Sequence, residues 1–295
     1  MQSFKIVYVE RLQEQEWQAL RDAHHAAVDV WISPRLERRA RQELHPIDDF
    51  LFDYYPISAN KLRTWHPGIN YQLIASDEVA EYFPANQYDF DGETIQVSRE
   101  WLESKHGRLQ ELHNFLTQVN SRPAKFGCFG LHEWAMVLGV DEVRHQLWPL
   151  RVSQDVIRAT IHEQGLRCTH FDAFRFFTDE ARPLNPLQLV RSDQAQCDQG
   201  GCLHANMDLY KYAFELAPIV GSSVVRSAFE LAKDIRDVDM QAAPYDLADL
   251  GLKPIKIETP EGRAEFVVRQ REFNERAAKI RDLLLNKIQE QMAIR

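Results

Sequence analysis

The stretch GCLHANMDLYKYAFELA, residues 201–217, decides the fold class, because at 100° per residue its apolar side chains leave almost no wet face. Leu203, Met207, Leu209, Tyr210, Tyr212, Ala213, Phe214 and Leu216 cover most of the circumference, while His204, Asp208, Lys211 and Glu215 share one narrow stripe. A helix of this kind, expected over Leu203–Ala217, is buried by other helices, so the sequence predicts a mainly α protein. The polar stripe faces either bulk water or an internal cleft. Asn206 stands alone on the apolar side and requires a hydrogen-bond partner.

Two other stretches have the same character: FGCFGLHEWAMV at 126–137 and THFDAFRFFT at 169–178. Each sets a histidine and a carboxylate among core-forming residues, and burying such groups unpaired costs several kcal/mol. One shared pocket lets them satisfy one another, so His132, Glu133, His170, Asp172, His204 and Asp208 are expected to converge on one cleft. Within it Glu133 or Asp172 is the expected base, His204 an orienting or proton-shuttling group, and Asp208 a further carboxylate. Trp134, Phe174, Arg175, Tyr210 and Lys211 join His132 and His170 as expected substrate contacts. Thr169 and Asp172 resemble a capping box, which places Asp172 one turn from Arg175. That arginine either neutralises Asp172 or holds it ionised toward a ligand.

The spacing Glu142-x-x-His145 is one half of a carboxylate-bridged di-iron site, and the chain has no second half. An H-E-x-x-H zinc motif is excluded by Met136. A divalent metal, if one is bound, is expected on some of His132, Glu133, His145, His170, His204 and Asp208.

Around this centre the chain reads as scaffold. FKIVYV (4–9) is a short strand, and EQEWQALRDAHHAAVDVWI (14–32) an amphipathic helix that Ser33–Pro34 ends. HPIDDFLFDYYP sets aromatics around Asp48, Asp49 and Asp53, either facing the site or as a helix with one wet side. NYQLIA and ETIQVS, with a turn at Asp91–Gly92 between them, predict a small antiparallel β patch near 70–98. Ser98 caps a helix to about Val119, and Ser121–Arg122–Pro123 divides an N-terminal part, 1–122, from a part carrying the site, 123–295. A helix over 222–239 follows, and Thr259–Pro260–Glu261 starts a long helix that ends the chain.

Composition narrows the classes of function. The 295 residues are 44% hydrophobic and 27% charged, enough for a sizeable core, with no apolar run long enough for a membrane span and no secretory leader, which places the chain in the cytoplasm. The four cysteines lack a C-x-x-C pair and read as reduced thiols. The formal net charge of −9 opposes general adhesion to nucleic acid. A local exception is RLERRARQ with Arg35, Arg38, Arg39 and Arg41, where the first three share a helix face and serve either phosphate contact or plain solvation beside Glu37 and Glu43.

Taken together, FLFDYY (50–55), WHPG (65–68), FGCFGLHEWAMV, THFDAFRFFT, GCLHANMDLYKYA, DMQAAPYDL (239–247) and IETPEGRAEF (257–266) resemble a bacterial family, frequent in actinobacteria, labelled 3-methyladenine DNA glycosylase. The resemblance implies hydrolysis of the N-glycosidic bond of an alkylated purine in DNA, with no cofactor and alkylated DNA as partner. Such chemistry needs a flipped base stacked on aromatics and a carboxylate to activate water. The helix-hairpin-helix of familiar base-excision glycosylases is absent from the sequence. The residues alone also admit a hydrolase or other enzyme for a small molecule, with or without a metal, and a non-catalytic binding protein.

Overall fold

The computed structural model describes residues 10–140 and 148–293. The expected FKIVYV strand and the Glu142–His145 pair lie outside the described residues. The fold is mainly helical, with one small sheet and a long last helix, Pro260–Ala293, as the periodicity predicts.

The sheet is mixed rather than antiparallel. Strand β1 (Glu10–Leu12) runs parallel to β2 (Tyr71–Ile74), and β4 (Thr94–Val97) pairs antiparallel with both β2 and β3 (Tyr88–Phe90). The order is β1-β2-β4-β3. Asp91 makes the turn of the β3–β4 hairpin by accepting hydrogen bonds from the Glu93 and Thr94 amides, with Gly92 at positive φ. Register aligns Leu12, Leu73 and Ile95, all buried, on one face.

Pro34 does not end the first helix, which runs unbroken over Glu14–Ala40. The carbonyl left without an amide belongs to Val30, which is 64% exposed, so water can satisfy it. Beyond the proline, Arg35 is buried on Asp49 and Asp53 and Arg38 bonds Asp48 and Asp49, which anchors the last turns. These arginines therefore find their counter-charges in the aspartate-rich segment rather than in Glu37 and Glu43.

The helix expected over Leu203–Ala217 is three short ones, Leu203–Met207, Leu209–Glu215 and Ala217–Val220. Pro218 disfavours helical backbone before it and suits the first turn of the last piece, and the other interruption falls at Asp208. Asn206 gains the predicted partner, donating to the Gly200 carbonyl at 2.8 Å.

The chain folds as two compact units. The first takes the described residues of Met1–Thr117, Tyr210–Glu230 and Ile280–Arg295, and the second takes Gln118–Leu209 and Leu231–Lys279. The first thus includes 210–230 and the end of the chain, which a division after residue 122 assigns to the second part. In the second unit, Trp134 is fully buried, donates to the Ala242 carbonyl at 2.8 Å and carries the Arg151 guanidinium 5.5 Å above its ring. Arg151 in turn pairs with Glu258. This packing holds the Leu131–Ala135 helix, and with it His132 and Glu133, against the end of the Ser222–Ala242 helix.

Candidate metal centre

Five of the residues singled out in the sequence lie in a buried polar group within the second unit. His132 Nε2 lies 3.3 Å from Asp239 Oδ2 and 3.6 Å from Glu133 Oε1. The Arg236 guanidinium bridges both carboxylates, at 2.8 Å to Glu133 and 3.3 Å to Asp239. The His204 ring meets His132 edge to face with centroids 4.3 Å apart, and stacks on His170 at 5.6 Å. His170 Nδ1 lies 3.0 Å from Asp198 Oδ1. Asp208 is buried and accepts from Gln194 at 3.4 Å.

Local structure sets each of these groups. His170 is the cap position of the short Phe171–Phe174 helix, so Thr169 does not cap it, and the imidazole turns to Asp198 instead. Asp198 ends the Gln194–Cys197 helix, where Arg122 fixes the backbone by donating to the Ala195 and Asp198 carbonyls. Arg236 and Asp239 sit one turn apart on the Ser222–Ala242 helix.

The electrostatics follow from burial. Burial disfavours charge on His132, but Asp239 and Glu133 outweigh it and raise its pKa to about 9. For His170 burial again opposes, and Asp198 turns the shift upward. Among the described residues no carboxylate forms an ion pair with His204, and burial followed by repulsion from His132 and His170 outweighs Glu133 and pushes it well below the ordinary value. It is a neutral imidazole with a lone pair to give.

Among the described residues, His132, His204 and Asp239 form a group whose ligand atoms all lie within 4.8 Å of one another. The carboxylate oxygen Asp239 Oδ1 is buried and has no hydrogen-bond partner. Two imidazoles and one carboxylate suit a first-row divalent ion such as zinc or iron. His132 and His204 also line a cavity of about 250 Å³ together with Phe126, Leu166, Phe177 and three thiols, Cys128, Cys168 and Cys202. Burial raises the pKa of all three thiols, Cys168 to about 12, so they are protonated and poor nucleophiles.

Other expected site residues are placed elsewhere. Asp172 is neutralised by Arg175 and Arg191, each 3.1 Å away. Arg175 also covers the Phe176 ring at 4.4 Å. Phe174 packs on Phe177 in the core. Tyr210 and Lys211 belong to the first unit, where Tyr210 is fully buried against Tyr55 and Phe229 and Lys211 lies over Tyr212. Of the basic stretch, Arg35 is 8% exposed and Arg38 is bound to Asp49, which removes two of the three expected phosphate contacts, and Arg39 is exposed.

Sequence reasoning missed Asp239, Arg236 and Asp198. For the first two there was a signal, since Arg236 stands seven residues beyond Phe229 and so falls on the buried stripe of its helix. Asp198 lies in a polar loop tract and gave none.

Comparison with known proteins found no matching family model, no matching curated protein and no matching solved structure.

Proposed function

We propose that the chain is a metal-dependent hydrolase acting on a small molecule, with a divalent ion held by His132, His204 and Asp239. The observation that carries the reading is the convergence of these three donors within 4.8 Å of one another, with His132 and His204 on the wall of a cavity large enough for a small ligand. A bound divalent ion supplies Lewis acidity and an acidified water. The chain's residues supply the rest. Glu133 and Asp239 place two negative charges beside Arg236 and beside His132, whose raised pKa makes it the second cation, so an ion bound here would take the place of the His132 proton. Arg236 fixes the orientation of Asp239, as the partners of metal-binding carboxylates do. His170, oriented by Asp198, leaves its buried Nε2 without a hydrogen-bond partner beside His204, where it can hold or pass a proton.

Elemental analysis of the purified chain tests this. About one equivalent of a first-row divalent metal is expected, lost in His204→Ala and retained in Cys202→Ser. A chain that neither carries nor binds zinc, iron or manganese sinks the reading.

A second reading, excision of an alkylated purine from DNA, draws on the same cavity. Phe126 and Phe177 offer stacking faces to a flipped base. It is the weaker reading because no carboxylate among the described residues lines the cavity and Asp172 is held by two arginines. Release of methylated base from DNA by chelator-treated protein supports it over the first.

A further inference from the structure

The cations at the cavity mouth stand out in a chain with 44 acidic and 35 basic residues. Among the described residues the cavity is lined by Lys125 and Arg167 and by no carboxylate. A third cation, Arg271, lies 4.9 Å from the centre of the Phe126 ring. All three are exposed, and among the described residues none of them pairs with an acidic side chain. That is unusual here, because most of the arginines elsewhere are matched to a carboxylate.

Their placement is built into the backbone. Gln199, buried, accepts hydrogen bonds from the Lys125 amide at 2.8 Å and the Gly201 amide at 2.7 Å. Gly201 lies so close to Lys125 that a Cβ there would overlap the Lys125 carbonyl. Arg167 lies across Gly127, where a Cβ would stand 2.9 Å from its guanidinium nitrogen. The close backbone approach at Gly201 thus fixes Lys125 at the rim, and Gly127 leaves room for the Arg167 side chain beside it. Below the rim the walls are apolar, through Phe126, Leu131, Leu166, Phe177 and Leu203, and His132 and His204 lie on the same lining.

We infer that the cavity takes a small organic anion. Its carboxylate or phosphate group is held by Lys125 and Arg167 at the mouth, and an aromatic or branched apolar body lies along Phe126, Leu166 and Phe177 toward His132 and His204. The inference rests on the hydrolase reading and names the substrate class of that site. A guanidinium and an ammonium without partners favour an anionic oxygen group, and the fork of arginine matches its geometry. The apolar walls stabilise the remainder of the molecule by removing it from water. A cationic ligand meets only like charge at this rim. The net acidity of the chain favours a small anion over a polyanion.

Calorimetric titration of the full chain as purified, with 1-naphthylacetate, 1-naphthyl phosphate, 1-naphthylacetamide and 1-naphthylmethylamine, tests the inference. At least one anion should bind about tenfold more tightly than the amide, with the amine weakest. The order of the two anions identifies the group. In the Lys125→Met/Arg167→Met double variant that preference should vanish while metal content and melting temperature hold. The inference is overturned by equal affinity for acid and amide, by a preference that survives the double variant, by binding of none of the four, or by binding of methylated duplex DNA instead. Loss of the metal reading is separately visible, as anion selectivity in a chain that carries no metal.

Discussion

The two units treat their buried histidines in opposite ways. In the first, His24 and His66 each stand with one hydrogen-bond partner, the Leu62 carbonyl at 3.0 Å and the Tyr88 hydroxyl at 2.7 Å. Burial holds both pKa values down to about 4, so each is a neutral core residue. In the second, His132, His170 and His204 are stacked on one another and set among Asp198, Glu133 and Asp239. The first leaves His24 Nδ1 buried without a partner, an isolated ring nitrogen, whereas the second leaves His170 Nε2 and carboxylate oxygens on Asp198 and Asp239 without partners in one cluster. What marks a site is therefore the surplus of buried polar capacity, and a buried histidine alone does not mark one.

The largest break in this contrast comes from Arg236→Met. The side chain is 2% exposed and is the guanidinium that bridges Glu133 and Asp239. Removing it leaves two buried carboxylates without their common cation, and breaking such a pair costs about 3–5 kcal/mol. Chemical denaturation should show that loss. A variant as stable as the parent would mean the carboxylates are not held as a buried ionic group.

Acid sharpens the comparison from the other side. The His66 pKa is lowered from 6.5 to about 4, so between those values the unfolded chain takes up a proton that the folded chain refuses. Stability is then fully present above pH 6.5 and is lost as pH falls toward 4, by about 3 kcal/mol for this one group. Melting temperature should fall across that window, and His66→Asn should flatten the fall. An unchanged slope in the variant would assign the acid sensitivity elsewhere.

A smaller effect is expected of Gly201→Ala. The new methyl group meets the Lys125 carbonyl, and overpacking of this kind costs about 1–3 kcal/mol. Because Gly201 and Lys125 share the Gln199 side chain, the strain falls on the cavity rim. Ligand affinity should therefore drop more than global stability, as parallel calorimetry and melting curves can compare. A variant that loses stability but keeps its affinity would show that the rim tolerates the shift.

These contrasts also explain what the sequence made legible. Helical class, the Asp91–Gly92 turn, the Ser98 start and the Pro260 start are local, and local chemistry announces them. The clustering of His132, His170 and His204 was legible as an expectation because each stretch set a polar pair in an apolar run. Asp239 and Arg236 are not legible as site residues, because a charged residue on a helix reads as wet until its partner is known, and the Arg236 partner Glu133 lies 103 residues away. The breaks at Asp208 and before Pro218 are not legible in the sequence because a continuous apolar pattern outweighs one weak helix former. The parallel pairing of β1 lay between residues some 60 apart, where no turn fixes the register.

The smallest expected effect concerns the basic stretch, and it separates arginines that the helix face makes look alike. Arg38 donates to Asp49 at 2.7 Å, and Asp49 is 3% exposed. Burial alone would raise the pKa of that carboxyl, yet Arg38, with the His45 amide and Arg35, holds it below the usual carboxylate range. Arg39 stands on the same run of the helix, exposed to water. Arg39→Ala should therefore change stability by no more than about 0.5 kcal/mol, as surface substitutions usually do, while Arg38→Ala leaves a buried carboxylate without its main donor and costs clearly more. If the stretch contacts phosphate, Arg39 must carry the contact nearly alone, and its loss would reduce the salt dependence of any DNA binding by roughly one phosphate contact. Equal losses of stability in the two variants would erase the distinction between a paired and a solvated arginine on this helix.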